Sequence, residues 1–412
     1  MSKGQPKVLV VGGGIAGDAL AVMLGRAGWE VTVAEIAPGL RTGGQTVDLR
    51  GDSRDVLVRL GLLEQALDRL VPQRGAAWID RTGRRLATMP VEAFDGNGYV
   101  SKEELLRADL ARVLHDAAAG ARVTHRFGET AEELTDTPTG VRVRFRTAPP
   151  EEFDLVVGAD GAHSRVRRLR FGPEESYRRP LGLAHAWFTL TETADTPALD
   201  GWFLTHNAPG RRTAEARPGH PGTQEVGLTF AATGLPARQD RAAQFTLLDE
   251  VFADMGWRTR EFLAAARTAP DFALDTYDQI QVPKWHAGRV VLLGDSAWCA
   301  SPLSGLGTAL ALRGAAQLAD ALESAAVRDH PDRLPGALTA FEESMRPRVR
   351  AAQKLFPGRV RQAAPRTERG IRVNAWLIRR LQSGPVQKAA TRMAARHGQD
   401  PSRPDRRTSH AA

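Results

Sequence analysis

Cysteine is nearly missing from this sequence: Cys299 is the only one in 412 residues. A lone thiol excludes an internal disulfide framework and a cysteine-built metal cluster, and it suits a reducing cytoplasm. No apolar run reaches the roughly 18 residues that a membrane span needs. Met1 to Pro6 is polar and the apolar run behind it reads as a strand, so no signal peptide is expected. There are no internal repeats and no metal-ligand spacing, and no nucleic-acid-binding motif accompanies the net charge of +8. That charge reads as a solvated basic face with attraction for phosphate-bearing cofactors. The expectation is a cytoplasmic monomer or homodimer that works on a small molecule and meets neither nucleic acid nor membrane.

What is present is ordinary for a globular chain, 42% hydrophobic and 25% charged. The length points to two closely joined domains. One stretch organises the rest. Lys7 to Val11 reads as a buried strand, and Gly12, Gly14 and Gly17 form a G-x-G-x-x-G turn into an apolar helix. A second strand then ends at Glu35, eighteen positions past Gly17. This is the strand, turn, helix, strand and acid of a dinucleotide site. Gly12 permits the tight turn, Gly14 the approach of backbone to a pyrophosphate, and Gly17 close helix–strand packing. The helix N-terminus offers N–H groups to phosphate, and Glu35 would accept hydrogen bonds from an adenosine ribose. Just beyond, Arg41, Gly43, Gly44 and Gln45 set an arginine and a glycine pair where a ligand would come close.

Two more stretches have the same strand-to-turn form. Asp154 to Gly158 leads into Asp160, Gly161 and a basic segment with Arg165 and Arg167. Asp160 there would bond ribose hydroxyls or order the loop, and the arginines would pair with phosphates. Residues 288–293 lead through Gly294 and Asp295 to a Pro302–Gly307 loop and a helix whose N-terminus suits negative charge. Between them, residues 177–283 change character. Segments 183–191, 201–206 and 224–232 alternate like an antiparallel sheet, 208–222 reads as a long loop, and 244–266 as one helix. Ala76 to Pro90 reads as a hairpin turning at Asp80–Gly83. Ser101-Lys-Glu-Glu104 reads as a capping box that opens a helix. Helices are expected at 337–354, 373–381 and 386–397, with a disordered tail from Gly398.

Together these three stretches resemble one family. G-x-G-x-x-G at Gly12–Gly17, D-x-x-x-G-x-D-G-x-x-S-x-x-R at Asp154–Arg167, and Gly294-Asp295 with P-x-x-G-x-G at Pro302–Gly307 are similar to the single-component (class A) FAD-dependent aromatic hydroxylases. That group includes polyketide hydroxylases and tetracycline-inactivating monooxygenases. Arg107-Ala-Asp-Leu110 resembles the family's R-x-D-L helix, whose arginine reaches the cofactor. The resemblance implies an α/β fold with a Rossmann-like, glutathione-reductase-type FAD-binding domain over residues 1–75, 98–176 and 284–350. An interleaved antiparallel-sheet substrate domain would take 76–97 and 177–283, followed by C-terminal helices at 351–397 and the tail at 398–412.

It further implies FAD as the bound cofactor and NAD(P)H as a transient one. Gly12, Gly14, Gly17, Glu35, Arg41, Gly44, Arg107, Asp160, Gly161, Gly294, Asp295 and Gly307 would hold FAD. Pro302, Gly305, Gly307 and Thr308 would lie nearest the flavin, and Arg165 and Arg167 near NAD(P)H. His185, Trp187, Trp202 and Phe230 are the candidate substrate residues, with His206 also weighed; no catalytic base is nominated. The implied reaction is oxygenation of a bulky aromatic or polyketide-like molecule by NAD(P)H and O₂ through a C4a-hydroperoxyflavin. The alternative is a non-redox, FAD-dependent cyclisation of a polyketide on the same fold. Trp298, Leu306 and Ala309 stand where the family often has His, Gln and Asn, and Leu306 and Ala309 permit that alternative without demanding it.

Overall fold

The computed structural model describes residues 5–41, 43–94 and 98–382. Its central sheet has six strands in the order His286–Ala287, Val290–Leu292, Leu155–Gly158, Lys7–Val11, Glu30–Glu35 and Val123–Phe127. Neighbours run parallel except the first pair. The inner strands are apolar runs because both faces are covered, and Val8, Leu9 and Val10 have no exposed surface. Helix Ile15–Arg26 packs against helix Gly307–Ser324 and against Arg107–Ala119. Register positions the site: Val11 pairs with Gly158, and Gly158 with Leu292. The three turns noted in the sequence therefore leave neighbouring strands at one level, at their carboxyl ends, where open α/β sheets bind ligands.

A second sheet has seven strands: Ala273–Ile280, Arg178–Thr191, Thr223–Ala231, Arg212–Pro218, Trp202–Ala208, Gly75–Ile79 and Arg85–Pro90, in that order. The 76–90 hairpin forms its far edge, with Gly75–Ile79 parallel to Trp202–Ala208. Alternation gives the sheet two unlike faces. Ala184, Ala186, Phe188, Ala214, Ala216, Leu228 and Phe230 share one core with helices Arg241–Phe252 and Thr259–Thr268. His185, Trp187, Glu215, Arg217 and Thr229 alternate with them and belong to the opposite face.

Three expectations give way. The segment 208–222 holds the strand Arg212–Pro218; Pro and Gly sit in its flanking turns and hide the alternation of Thr213, Glu215 and Arg217 with Ala214 and Ala216. The helix expected over 244–266 is two helices, broken where Trp257 adopts a φ of 57° and its N–H donates to the Arg81 carbonyl at 2.6 Å. At the capping box, the Ser101 N–H donates to Glu104 at 3.0 Å and the Glu103 N–H to Ser101 Oγ at 3.2 Å, yet the helix starts only at Arg107. Glu104–Leu106 pairs instead with Thr46–Asp48, and buried Glu104 forms an ion pair with Arg217 at 2.5 Å, so tertiary pairing overrides the local signal. The expected helix 386–397 and tail lie outside the described residues. Among those described, no helix is long and apolar enough to cross a membrane.

Phe230 is 1% exposed and meets Phe252 edge-on at 5.9 Å. Phe230→Ala is expected to cost about 3–5 kcal/mol of stability, read as a lowered denaturant midpoint. A loss below about 1 kcal/mol, set against that range, would place the ring outside the core.

Candidate cofactor and substrate site

The three turns touch. A Cβ on Gly17 would sit 2.0 Å from the Gly12 carbonyl oxygen, and one on Gly12 2.5 Å from the Ala159 carbonyl oxygen. One on Gly294 would come 3.0 Å from the Ala16 Cβ. Backbone packing thus excludes side chains at Gly17 and Gly12, where the first turn seats on itself and on the second. Gly14 differs, because a Cβ there meets nothing within 4 Å. The protein leaves the space before Gly14 open. Helix Ile15–Arg26 begins beside it, and neither this helix nor Gly307–Ser324, which packs against it, has a side-chain cap, so their first N–H groups are available to a ligand.

The charges around this opening fit a nucleotide with a pyrophosphate. Glu35 accepts the Gly13 N–H at 2.8 Å and the Ala37 N–H at 2.9 Å, one on each oxygen, which leaves lone pairs for ribose hydroxyls. Arg107 packs its stem against Gly44, and neither Arg107 nor Arg41 has a side-chain hydrogen-bond partner among the described residues. Arg107 and Asp295 are both open to solvent. Even so, surrounding protein holds the Arg107 guanidinium below the usual arginine range, with Asp295 and Glu35 opposing and Arg41 adding to the shift. Burial likewise pushes the Asp295 carboxyl up, against the pull of Arg107. Groups that water reaches but solvates poorly line a cleft. Two unpartnered guanidiniums, an acid at each end and open backbone at Gly14 match FAD.

The loop after Glu35 also reaches the second sheet. Gly43 lies so close to Asp271 that a Cβ would be 2.0 Å from Oδ2, and Gln45 Nε2 donates to His185 Nε2. His185 Nδ1 then donates to Thr229 Oγ1 at 2.7 Å; burial holds this imidazole down to about 3, so it is neutral. Its ring stacks between Trp187 at 5.9 Å and Tyr277 at 5.3 Å. Beside it, Gly227 lacks the side chain whose Cβ would lie 2.7 Å from His185 Cε1 and 3.2 Å from Glu215 Cγ. Glu215 has no hydrogen-bond donor among the described residues, and burial pushes its carboxyl up to about 7, with Arg217 opposing. Thr205, paired across from Glu215, is 5% exposed and its hydroxyl has no partner. Tyr99 stacks on Phe203 at 5.9 Å and completes an aromatic wall. Tyr99 is 43% exposed, yet surrounding protein raises its phenol.

Comparison with known proteins agrees with the cleft. The FAD binding domain family matches residues 5–354. The chain belongs to this FAD-binding family. It is 31% identical over 399 residues to the FAD-dependent monooxygenase asL4 of Sarocladium schorii, covering 91% of this chain and 92% of that protein. An uncharacterized protein of Mycobacterium tuberculosis is 41% identical over 320 residues, 77% of this chain and 85% of that one. Among solved structures, the tetracycline destructase Tet(51) superposes with a TM-score of 0.75 at 27% identity, covering 92% of this chain and 97% of its own. HpxO of Klebsiella pneumoniae, complexed with FAD and uric acid, shares the fold at a TM-score of 0.71 and 21% identity, over 95% and 97%.

In this FAD-binding-family chain several residues have other work than expected. Asp160 accepts Ser164 Oγ at 2.5 Å and the N–H groups of Arg165 and Val166 at 2.6 and 3.0 Å, so of its two expected roles these partners serve the ordering of the loop. Arg167 has no exposure and ties the Ser296 and Ala162 carbonyls to Glu174, which takes it out of reach of NAD(P)H. Arg165 turns toward Glu132, 3.6 Å away. Trp202 and Phe230 fall on the wrong strand parity: Arg85 lies 4.6 Å over the Trp202 ring, and Phe230 is core. His206 shares that face and meets the Ile79 carbonyl. Trp298 fills a core with Trp285, 4.4 Å away, and Phe341, 6.0 Å away. Pro302, Gly305 and Gly307 are exposed and Thr308 is half-buried. Sequence reading missed Glu215, Arg217 and Thr205; the period-two pattern of 212–218 was the signal for the first two.

Gly14→Ala and Gly17→Ala separate packing from ligand contact. Gly14→Ala is expected to fold with unchanged melting temperature but to weaken FAD binding at least tenfold, an order-of-magnitude expectation from lost backbone approach. Gly17→Ala is expected to lose stability as well. Unchanged FAD affinity in Gly14→Ala would contradict the placement.

Proposed function

We propose that the protein is an FAD-dependent monooxygenase that uses NAD(P)H and O₂ to oxygenate a planar, hydroxylated aromatic or polyketide-like molecule. One observation carries the reading. Leu303, in the Pro302–Ser304 turn, packs with Tyr277 and Leu183 of the second sheet. The turn proposed to lie nearest the flavin therefore shares a wall with the recess that holds Glu215. The monooxygenase relative asL4 supports the reaction, and the likeness to a tetracycline destructase supports a multi-ring, oxygen-rich substrate. In this reading residues 76–97 and 177–283 form the substrate domain, and the enzyme acts in the cytoplasm as a monomer or homodimer.

When bound, FAD supplies the redox chemistry, by which reducing equivalents from NAD(P)H and one atom of O₂ reach the substrate. The chain's residues do the rest. Gly12, Gly14, Gly17, Glu35, Arg41, Gly44 and Arg107 hold the nucleotide half, and Asp295 and Gly307 the flavin half. The uncapped N-terminus of helix Gly307–Ser324 favours negative charge beside it. Trp187, Tyr277, Tyr99 and Phe203 grip a planar ring and exclude water from it. A substrate hydroxyl set against Glu215 gives its proton to the carboxylate and keeps the electron pair on oxygen, where Arg217 steadies the charge. A carboxyl near 7 is matched to that exchange at neutral pH.

The test is turnover with a panel of phenolic and polyketide compounds. NADPH consumption matched to a product carrying ¹⁸O from ¹⁸O₂ is expected. Conversion that needs neither NADPH nor O₂ would replace the reading with cyclisation.

Glu215→Gln gives a pH test. The folded carboxyl titrates at about 7, above its ordinary 4.5, so folding favours the protonated form. Wild-type stability falls as pH rises between those values, and the cost is complete above 7. The melting-temperature advantage of Glu215→Gln should therefore grow from pH 5 to pH 8. Its turnover should fall by about 10²-fold and lose the rise through pH 7. Equal pH profiles for the two proteins would show that Glu215 holds no working proton.

A further inference from the structure

A second cluster of ligating side chains lies apart from the cleft. Asp18 comes from helix Ile15–Arg26, His115 from helix Arg107–Ala119, and His125 from the edge strand Val123–Phe127. His125 Nε2 is 2.9 Å from Asp18 Oδ1, and the His115 ring stands edge-on to His125 at 4.2 Å. One donor atom from each residue lies within 4.8 Å of the other two. An ion pair between Asp18 and His125 accounts for only part of this. Asp18 is wholly buried, and its second oxygen, Oδ2, has no partner. His115 Nδ1 is buried and has none either. A carboxylate oxygen and a ring nitrogen left without a partner in one buried cluster keep the cost of desolvation unless a ligand meets them.

We propose that Asp18, His115 and His125 bind one divalent transition-metal cation. Two imidazoles and a carboxylate are a zinc ligand set, with a fourth position left for water. Imidazole donors suit zinc and its first-row neighbours over magnesium or calcium. The His125 side chain is 11% exposed, which leaves a way in for ion and water. A bound ion would pin the first helix, one residue past Gly17, to the outermost strand and to the helix that starts at Arg107. The site is structural in this sense: it ties together three elements of the first sheet's layer.

The experiment uses tag-free holoprotein, stripped with chelator and titrated calorimetrically with ZnCl₂, then with Co²⁺ as a spectroscopic probe. One equivalent should bind, visible d–d bands should appear with Co²⁺, and added zinc should raise the melting temperature. His115→Gln, at a half-buried position, should weaken binding at least about tenfold, since even outer-shell changes cost that much. His125→Ala should abolish it, and His330→Ala, at an exposed histidine elsewhere, should leave it unchanged. Absence of saturable one-to-one binding would overturn the proposal, and so would equal affinity in His115→Gln. Neither result bears on FAD binding or turnover.

Discussion

The structure depends on a single constraint, the parallel register that sets Val11, Gly158 and Leu292 side by side at one edge of the central sheet. Segments separated by well over a hundred positions turn at the same level there. The turns approach so closely that Gly12 and Gly17 have no room for a methyl group. Close approach of backbones removes side chains from the rim and leaves N–H groups, helix ends and a few charges facing outward. That is the chemistry a dinucleotide needs, and it arises from strand pairing more than from any one residue.

In the proposed reading the second sheet turns this grip into a reaction chamber. Its strands carry alanine, leucine and phenylalanine on one face, which two helices cover, and histidine, tryptophan, glutamate and arginine on the other. Parity alone decides which aromatic serves which purpose: Phe203 lines the recess, while its neighbour Trp202 does not. Gly227 opens the space in which His185 and Glu215 approach each other, and with His185 neutral and doubly bonded, the carboxyls of Glu215 and Glu225, both pushed up to about 7 by burial, are acids of that face.

Much of this was legible in the sequence, for physical reasons that also mark its limits. A parallel strand buried on both sides must be a continuous apolar run, and a tight turn beneath a helix must be glycine, so the three cofactor stretches declare themselves. The resemblance they carry then supplied FAD. Partners are another matter. Arg167 has the right residue type for ligand binding, but sequence does not reveal that it ties buried carbonyls, and for Asp160 it leaves two roles open. The strand bearing Glu215 hid between Pro209-Gly210 and the turn at Gly219–Gly222. The capping box at Ser101 made its local bonds and still lost to strand pairing. Asp18, His115 and His125 come from three elements, and no spacing announces them.

The central claim is that one FAD lies across the carboxyl edge of the first sheet. Its most direct test is the flavin content of purified protein, measured from the visible spectrum and from cofactor released on denaturation. The account predicts a yellow protein, or an apoprotein that takes up added FAD to one equivalent per chain with a change in flavin fluorescence. A colourless protein that leaves the fluorescence of added FAD unaltered would contradict it.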